Sequence, residues 1–429
     1  MKQMKFEQIN ETLYHEKLDN GLDVYILPKE GFQKTYATFT TKYGSIDNHF
    51  TPLGETEPLK VPDGIAHFLE HKLFEKEDGD VFQQFSVQGA SANAFTTFNR
   101  TAYLFSSTSN VEQNMETLLD FVQEPYFTEK TVEKEKGIIG QEITMYDDNP
   151  DWRLYFGMID NMYHHHPVGI DIAGTVESIS KVTDKLLYTC YNTFYHPSNM
   201  LFFVVGAVDP ESMMTFIKEN QNKKTFAEPE KIQRFFEEEP DAVAEAKKVL
   251  KMNVQTPKGL TGVKANKPVE NGEALLKREI STNIYLDVLF GKSAKAYFDL
   301  YNEGLIDDTF SYDYSQEEGY GFATIGGDTD NPDQLHEKIT TVLKSAVKGE
   351  GLSEEAVERS KKKKIGGFLR SLNSPEYIAN QFTRYAFNEM DLFKVLETLE
   401  SVSLKDIEEV ANSFYEENRV TNCQVVPLD

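Results

Sequence analysis

The segment Phe127–Pro150 reads FTEKTVEKEKGIIGQEITMYDDNP, and a later segment of similar character, Leu352–Pro375, reads LSEEAVERSKKKKIGGFLRSLNSP. Placed side by side at an offset of about 225 residues, the two share a helix start, several lysines and a final proline. Repetition of a whole segment indicates that the chain contains the same structural unit twice. This repeat decides the predicted fold.

Further segments repeat in the same order. Val182–Tyr195, VTDKLLYTCYNTFY, pairs with Val402–Tyr415, VSLKDIEEVANSFY. The strand-like stretches SANAFTTF and TAYLFSS of the first half correspond to DTFSYDY and GYGFATIGG of the second. Alternating residues predict strands, and apolar residues at helical spacing predict helices. We therefore predict an α+β protein with two homologous domains from an internal duplication, each a mainly antiparallel sheet with helices packed on it.

The boundary between the halves is predicted from composition. Residues 223–247 are polar and acidic, are interrupted by Pro229 and Pro240, and contain few positions that could build a core. A chain of 429 residues also exceeds the size at which one core usually keeps growing. The predicted division is a first domain over residues 1–222, an acidic linker over residues 223–247 and a second domain over residues 248–429.

Charge and composition restrict the partners and the compartment. The formal net charge of -26 argues against nucleic acids and anionic membranes as partners, because both require a basic surface. The first residues lack an apolar segment after a basic start, and no run is long enough to cross a membrane, so we expect a soluble, cytoplasmic protein. The two cysteines, Cys190 and Cys423, provide neither a disulfide framework nor a cysteine zinc site.

A metal-ligand pattern lies in the helix predicted for Gly64–Phe74, GIAHFLEHKLF. His67 and His71 are four residues apart, so they share one helical face and can direct a ring nitrogen at the same ion. Glu70 lies at the edge of that face, near enough to reach a metal-bound water. The order H-x-x-E-H is the inverse of the H-E-x-x-H pattern of zinc peptidases. Two structural histidines are the alternative, but they would leave several polar groups buried without partners.

A catalytic zinc needs a third protein ligand and one open position for water. The helix predicted in Phe127–Pro150 offers Glu135 and Glu142, which are seven residues apart and therefore share a face. The spacing alone allows either carboxylate to reach a metal held by the first helix.

Two runs of like residues, one of histidines and one of lysines, could also indicate binding sites. The histidines His164–His166 are consecutive, and consecutive residues of a regular element do not face one ion, so we interpret them as part of a loop entering a turn. The run Lys361–Lys364 is interpreted as a solvated helix face.

Three segments, GIAHFLEHKLF, GASANAFTTFNRTAYLF and VEKEKGIIGQEI, occur in this order and resemble the pitrilysin and insulinase family of zinc peptidases. This family includes insulin-degrading enzyme and mitochondrial processing peptidase. The likeness covers essentially the whole chain and is greatest for bacterial two-domain members. It implies the LuxS/MPP-like metallohydrolase fold in a clam-shell arrangement, with a zinc-binding catalytic domain followed by a homologous domain that lacks the metal site.

The resemblance also implies roles for individual residues. His67, His71 and Glu142 would bind one Zn²⁺ per chain, and Glu135 would support a histidine or the ion from outside the ligand set. Glu70 would be the general base, which takes a proton from the attacking water and returns it to the leaving amine.

The expected activity is that of a zinc endopeptidase acting on short or unfolded peptides. By resemblance, Asn93, Ala94 and Phe95 lie on the strand that pairs with an extended substrate backbone. The alternative is a non-catalytic assembly or binding subunit that retains the peptidase fold, with a structural zinc or none. Similar ligands can also hold manganese or cobalt.

The second half departs from the family pattern at two places. In the repeat register, the metal-site residues of the first half face Asn283, Leu286, Asp287 and Gly367, none of which repeats a ligand. The family usually supplies an Arg and a Tyr in a stretch like LRxxxGLxY, whereas LYNEGLIDDTFSY has Tyr301 at the arginine position, with Tyr312 and Tyr314 nearby. The resemblance therefore predicts a dimer, either with a metal-free homologous subunit that contributes the missing groups or with a second copy of this chain.

Overall fold

The computed structural model describes residues 1–77, 79–266 and 272–428. Strands of the first half of the sequence are β1 Lys2–Phe6, β2 Glu11–Lys17, β3 Asp23–Pro28, β4 Thr35–Thr41, β5 His49–Thr51, β6 Leu59–Lys60, β7 Glu75–Lys76, β8 Gly79–Asp80, β9 Ala90–Thr96, β10 Thr101–Ser107 and β11 Met200–Gly206. Its helices are α1 Ile65–Leu73, α2 Val81–Val87, α3 Val111–Gln123, α4 Glu129–Asp147, α5 Pro150–Met162, α6 Val176–Ile179, α7 Asp184–Phe194 and α8 Pro210–Gln221.

The remaining strands are β12 Gln233–Arg234, β13 Lys247–Met252, β14 Lys258–Lys264, β15 Ser311–Glu317, β16 Tyr320–Asp328 and β17 Val420–Pro427. The remaining helices are α9 Glu273–Phe290, α10 Lys295–Asn302, α11 Pro332–Ala346, α12 Glu354–Ser371, α13 Pro375–Phe387, α14 Val395–Ser401 and α15 Leu404–Phe414. The order β3, β4, α1, α2, β9, β10, α3–α7, β11 of the first half recurs in the second as β13, β14, α9, α10, β15, β16, α11–α15, β17.

Sheet topology repeats as well. The larger sheet has the order β1-β2-β3-β11-β4-β10-β9, and the smaller one has the order β13-β17-β14-β16-β15. In each sheet one pair is parallel, β3 with β11 and β13 with β17, while the other pairs are antiparallel. Five strands of the first sheet therefore match the whole second sheet, which confirms the predicted α+β duplication.

The core of the first sheet lies at β4 and β11, in which every residue is buried. The apolar run MLFFVVG of β11 is typical of a strand that is covered on both faces. Strand β9 lies at the edge of this sheet and is only half-buried or exposed along its length. This position leaves one side of β9 without a neighbouring strand among the described residues.

Contacts group the chain into two compact units that do not follow a single cut in the sequence. The first unit contains Met1–Ile143, Asp171–Phe236 and Ser371–Phe387; the second contains Thr144–Ile170, Glu237–Arg370 and the chain from Asn388 onward. The first unit therefore includes α13, which packs on β4 and β11, and the second includes α5, which packs on β14 and β17. The domain limits drawn along the sequence stay a prediction.

Part of the predicted acidic linker is fixed to the second unit by Glu239. The Glu239 carboxylate accepts hydrogen bonds from the backbone N–H groups of His164, His165 and His166, each at 2.8 Å, and from Lys264 Nζ at 2.6 Å. Glu239 and Lys264 are 7% and 4% exposed. Burial alone would raise the pKa of Glu239, but the lysine and the three N–H donors outweigh it and lower the pKa to about 2. The histidine run therefore lies in a loop, as predicted, and its backbone binds a carboxylate.

Replacing Glu239 with alanine is expected to lower the free energy of unfolding by about 3–5 kcal/mol, because the Lys264 ammonium would remain buried without its partner. The pKa of Glu239 is lower in the folded chain, so its contribution is present above the usual glutamate pKa and is lost as the pH falls towards 2. Denaturant titrations at neutral and acidic pH measure both effects. Glu238→Ala, at an exposed neighbour, is the matched control; an equal loss in both variants would contradict this assignment.

No helix within residues 1–77, 79–266 and 272–428 combines the length and the apolar character needed to cross a bilayer. The cytoplasmic location stays a prediction.

Candidate metal centre

Helix α1 is positioned by its first turn and by its burial. Gly64, immediately before the helix, has φ +86°, and a Cβ atom there would lie 2.3 Å from the carbonyl oxygen of Ala173, so a larger residue does not fit. The apolar residues of α1 are buried, among them Phe68, Leu69 and Leu73. The helix therefore starts at a defined place, which fixes where its polar side chains emerge.

Three of the predicted site residues converge on one point. His67 Nε2 lies 3.7 Å from Glu142 Oε1, and His71 Nε2 lies 3.4 Å from Glu142 Oε2. One ligand atom from each of these residues lies within 4.8 Å of the other two. Two imidazole nitrogens and one carboxylate oxygen form a donor set that suits zinc and leaves a coordination position for water. The residues present therefore fit the metal that the sequence predicts.

Glu135 occupies the other side of His71. Its Oε1 lies 3.2 Å from His71 Nδ1, the ring nitrogen that faces away from Glu142. When the Nδ1–H group donates a hydrogen bond to Glu135, Nε2 carries no proton and is free to bind a metal, and the imidazole ring is held in place. Glu135 and Glu142 therefore lie near different ring nitrogens of His71.

The two histidines differ in their electrostatic surroundings. Burial lowers the pKa of His67 to about 4, helped by the neighbouring His71, and its buried Nδ1 has no hydrogen-bond partner among the described residues. Burial also acts to lower the pKa of His71, but the hydrogen bond to Glu135 and the surrounding carboxylates outweigh it and raise the pKa. The same hydrogen bond outweighs burial at Glu135 and lowers the pKa of its carboxyl. A neutral His67 is the form that a metal requires.

Glu70 lies beside this cluster and is 8% exposed. Burial raises the pKa of Glu70 to about 7, although a hydrogen bond from Thr96 and the nearby His71 act in the opposite direction. The Thr96 hydroxyl donates to Glu70 Oε2 at 2.5 Å. A carboxyl group that titrates near neutral pH is suited to take up and release a proton. Thr96 was not identified from the sequence, although it directly follows the segment assigned to substrate binding.

Strand β9 contains Asn93, Ala94 and Phe95 and ends at Thr96. It pairs with β10 on one side, with Asn93 opposite Leu104. Asn93 is exposed, and the next two residues are half-buried. The predicted substrate-binding residues therefore lie on a sheet edge close to Glu70.

A cavity of about 720 Å³ adjoins the site. Its lining includes Glu70 and His71 from α1, and Asn93 and Ala94 from β9. Aromatic and aliphatic side chains also contribute, namely Phe74, Phe82 and Ile138. The cavity therefore connects the metal cluster with the edge strand.

In the repeat register, the second half has an ion pair close to the positions that correspond to the metal cluster of the first half. Asp287 on α9, the counterpart of His71, lies 2.6 Å from Lys363 Nζ on α12, and Tyr312 also donates a hydrogen bond to Asp287. The interpretation of the lysine run as a solvated face is wrong for Lys361, which is 8% exposed and pairs with Glu358 at 2.8 Å. Consecutive residues of a helix point in different directions, so a run of four lysines cannot lie entirely on the solvated face, and Lys361 points towards the protein.

Tyr301 stands where the family usually has an arginine, and it lies in different surroundings from the nearby Tyr312 and Tyr314. Tyr301 on α10 is 55% exposed, and Tyr314 is buried and donates to Gln316 at 2.6 Å. Tyr312 donates to Asp287. The hydroxyls of Tyr312 and Tyr314 therefore already have acceptors within the second unit.

Comparisons with protein-family models match both halves of the chain. The model described as Insulinase (Peptidase family M16) matches residues 56–176, a range that contains every residue of the metal cluster together with Glu70 and Glu135. The model described as Peptidase M16 inactive domain matches residues 181–364, a range that contains none of them.

Individual relatives match over most of the chain. The uncharacterized zinc protease YmfH of Bacillus subtilis is 64% identical over 427 residues, which cover 100% of this chain and 99% of the relative. The uncharacterized zinc protease YmxG of the same organism is 27% identical and covers 83% of this chain and 86% of its own length. The crystal structure of a putative M16-like peptidase from Alicyclobacillus acidocaldarius has a TM-score of 0.93 at 40% identity, covering 97% of this chain and 99% of the other.

Proposed function

The chain belongs to the insulinase family of peptidases, family M16, and on that premise we propose that it is a zinc-dependent endopeptidase that hydrolyses short or unfolded peptides. The observation that carries the proposal is the convergence of His67, His71 and Glu142 beside a buried Glu70. A structural metal site needs ligands but no neighbouring base, so the position of Glu70 supports catalysis over the alternative of a binding subunit.

The metal would be held by His67, His71 and Glu142. When bound there, zinc acidifies a water molecule and stabilises the negative charge that develops on the substrate carbonyl oxygen. Glu135 keeps His71 in the tautomer that presents Nε2 to the site.

Glu70 would handle the proton. Its carboxylate accepts a proton from the attacking water as the new bond from the water oxygen to the carbonyl carbon forms. It then delivers that proton to the amine nitrogen as the carbon–nitrogen bond breaks. Burial raises the pKa of this carboxyl in the metal-free site, which makes Glu70 a stronger proton acceptor than an exposed glutamate.

The substrate would bind as an added strand on β9. Recognition of this kind relies on main-chain hydrogen bonds, which favours extended peptides over folded proteins. The position of Asn93, Ala94 and Phe95 on the sheet edge supports this role. The adjoining cavity of about 720 Å³ has room for one substrate side chain next to the metal cluster.

We further propose that a partner completes the site. Tyr301 stands where the family usually has an arginine, and the hydroxyls of Tyr312 and Tyr314 already donate to Asp287 and Gln316. A metal-free homologous subunit would contribute the missing groups; a second copy of this chain is the other candidate.

The purified, zinc-loaded chain is expected to cleave unstructured peptides only weakly by itself, with turnover rising when a metal-free homologue is added. Zinc content, oligomeric state and peptide cleavage measured on the same preparation test this, with the chelator-treated chain as control. Full turnover by the isolated monomer would refute the partner requirement and leave the peptidase assignment intact. A zinc-loaded chain that cleaves no peptide under either condition would refute the peptidase assignment.

A further inference from the structure

Thr96 is the last residue of β9, and its place is fixed by the hairpin that joins β9 to β10. It lies opposite Thr101, the first residue of β10. The turn between them is closed by a hydrogen bond from Thr97 N to Arg100 O at 2.8 Å. The backbone at Thr96 is therefore fixed by regular strand pairing.

The Thr96 hydroxyl is the single described hydrogen-bond donor to the Glu70 carboxylate. It donates to Oε2 at 2.5 Å, while Oε1 has no hydrogen-bond partner among the described residues. A threonine hydroxyl has one hydrogen, so this contact takes its whole donor capacity. A hydrogen bond to a charged group is worth more than one between neutral groups, and a buried carboxylate is costly without it.

We propose that Thr96 is a positioning residue for Glu70, holding one carboxylate oxygen so that the other faces the attacking water. The inference rests on the proposed peptidase function and extends it. Since Thr96 belongs to the strand on which the peptide would bind, it connects substrate pairing on β9 with proton transfer by Glu70.

Thr96→Val removes the donor and keeps the shape of the side chain. We expect kcat for peptide cleavage to fall about 10- to 100-fold, the loss expected for a hydrogen bond to a charged group. KM should change less than about twofold, because the β9 backbone that pairs with substrate is unaltered. Thr96→Ser retains the hydroxyl and should restore most of kcat. Thr215→Val, at an exposed threonine on α8, is the control for the substitution itself.

A double-mutant cycle separates positioning from a general structural role. If Thr96 acts through Glu70, Thr96→Val should cause no further loss of residual activity in a Glu70→Ala background. The same cycle applied to thermal unfolding of the metal-free chain should show that Thr96→Val lowers Tm when Glu70 is present and not when it is absent. Zinc stoichiometry should remain that of the unmodified chain in Thr96→Val.

Unchanged kcat in Thr96→Val, or an equal loss in both backgrounds, would overturn the proposal. If Thr96→Val does not fold, Thr96→Ser against Thr96→Ala gives the same comparison. If the unmodified, zinc-loaded chain cleaves no peptide either alone or with a metal-free homologue, the peptidase function fails, and the unfolding cycle still decides whether Thr96 and Glu70 are coupled.

Discussion

Replacing Glu70 with glutamine should lower peptide hydrolysis about 10³-fold while zinc binding is retained. Glutamine has nearly the same shape and can still accept the hydrogen bond from Thr96, but it cannot take a proton from the attacking water. Because Glu70 is absent from the converging ligand set, its replacement leaves the three metal-binding atoms in place. Single-turnover peptide cleavage and metal content, both measured on the same sample, test the two halves of this expectation.

Glu133→Gln is the matched control, since Glu133 lies on α4, is exposed, and pairs with Lys136 outside the site. It carries the same change of charge and should leave both cleavage and zinc content unaltered. Activity retained in Glu70→Gln would mean that another group accepts the proton. Loss of zinc in Glu70→Gln would identify Glu70 as a ligand, which contradicts the proposed mechanism.

The parts of the site that the sequence predicted are those set by local spacing. His67, Glu70 and His71 share a helix, so their relative positions follow from helical geometry. The fold was also predictable, because strand alternation is a property of neighbouring residues and the repeat follows from comparing the two halves of the sequence. The strand order of the two sheets then shows the duplication directly.

The parts that the sequence did not predict depend on tertiary packing. Spacing alone did not distinguish Glu135 from Glu142, whose roles were implied only by the family resemblance, because their different contacts with His71 depend on how α1 packs against α4. Thr96 reaches Glu70 from another element. Glu239 is bound largely by backbone N–H groups, which every non-proline residue has and which therefore leave no sequence pattern.

The assignment of α5 and α13 to their units was also beyond the sequence. Each helix lies within one half of the sequence and packs on the sheet of the other half. An amphipathic helix presents the same apolar face to either sheet, so its periodicity predicts that it is buried but not against which strands.

In the repeat register, the second half has an ion pair close to the positions that correspond to the metal cluster of the first half. In the first unit, a bound ion would link α1 to α4 through His67, His71 and Glu142. In the second unit, the corresponding helices α9 and α12 are linked by Asp287 and Lys363 at 2.6 Å. The Lys363 side chain is 63% exposed, so this contact satisfies the buried Asp287 but contributes little to stability by itself.

The two glutamates of α4 should respond differently to replacement by alanine. Glu135→Ala is expected to weaken zinc binding about 10- to 100-fold, because His71 keeps Nε2 but loses the group that orients its ring. Glu142→Ala should weaken it further, since one of three protein ligands is removed. At saturating zinc, Glu135→Ala should recover part of its peptide cleavage, whereas Glu142→Ala should remain without measurable turnover.

Competition with a chelator of known affinity measures the zinc dissociation constants, and Glu133→Ala controls for the loss of a charge on the same helix. The order of the two effects is the decisive result. If Glu135→Ala loses more zinc than Glu142→Ala, then Glu135 is the ligand, and the hydrogen bond between Glu135 and His71 in the metal-free site would have to be replaced by a metal bond. If both variants bind zinc as tightly as the unmodified chain, neither carboxylate is a ligand, and the His67 and His71 pair would need a different third donor. We expect the larger loss of zinc binding in Glu142→Ala, because Glu142 Oε2 lies 3.4 Å from His71 Nε2 on the side that His67 also faces.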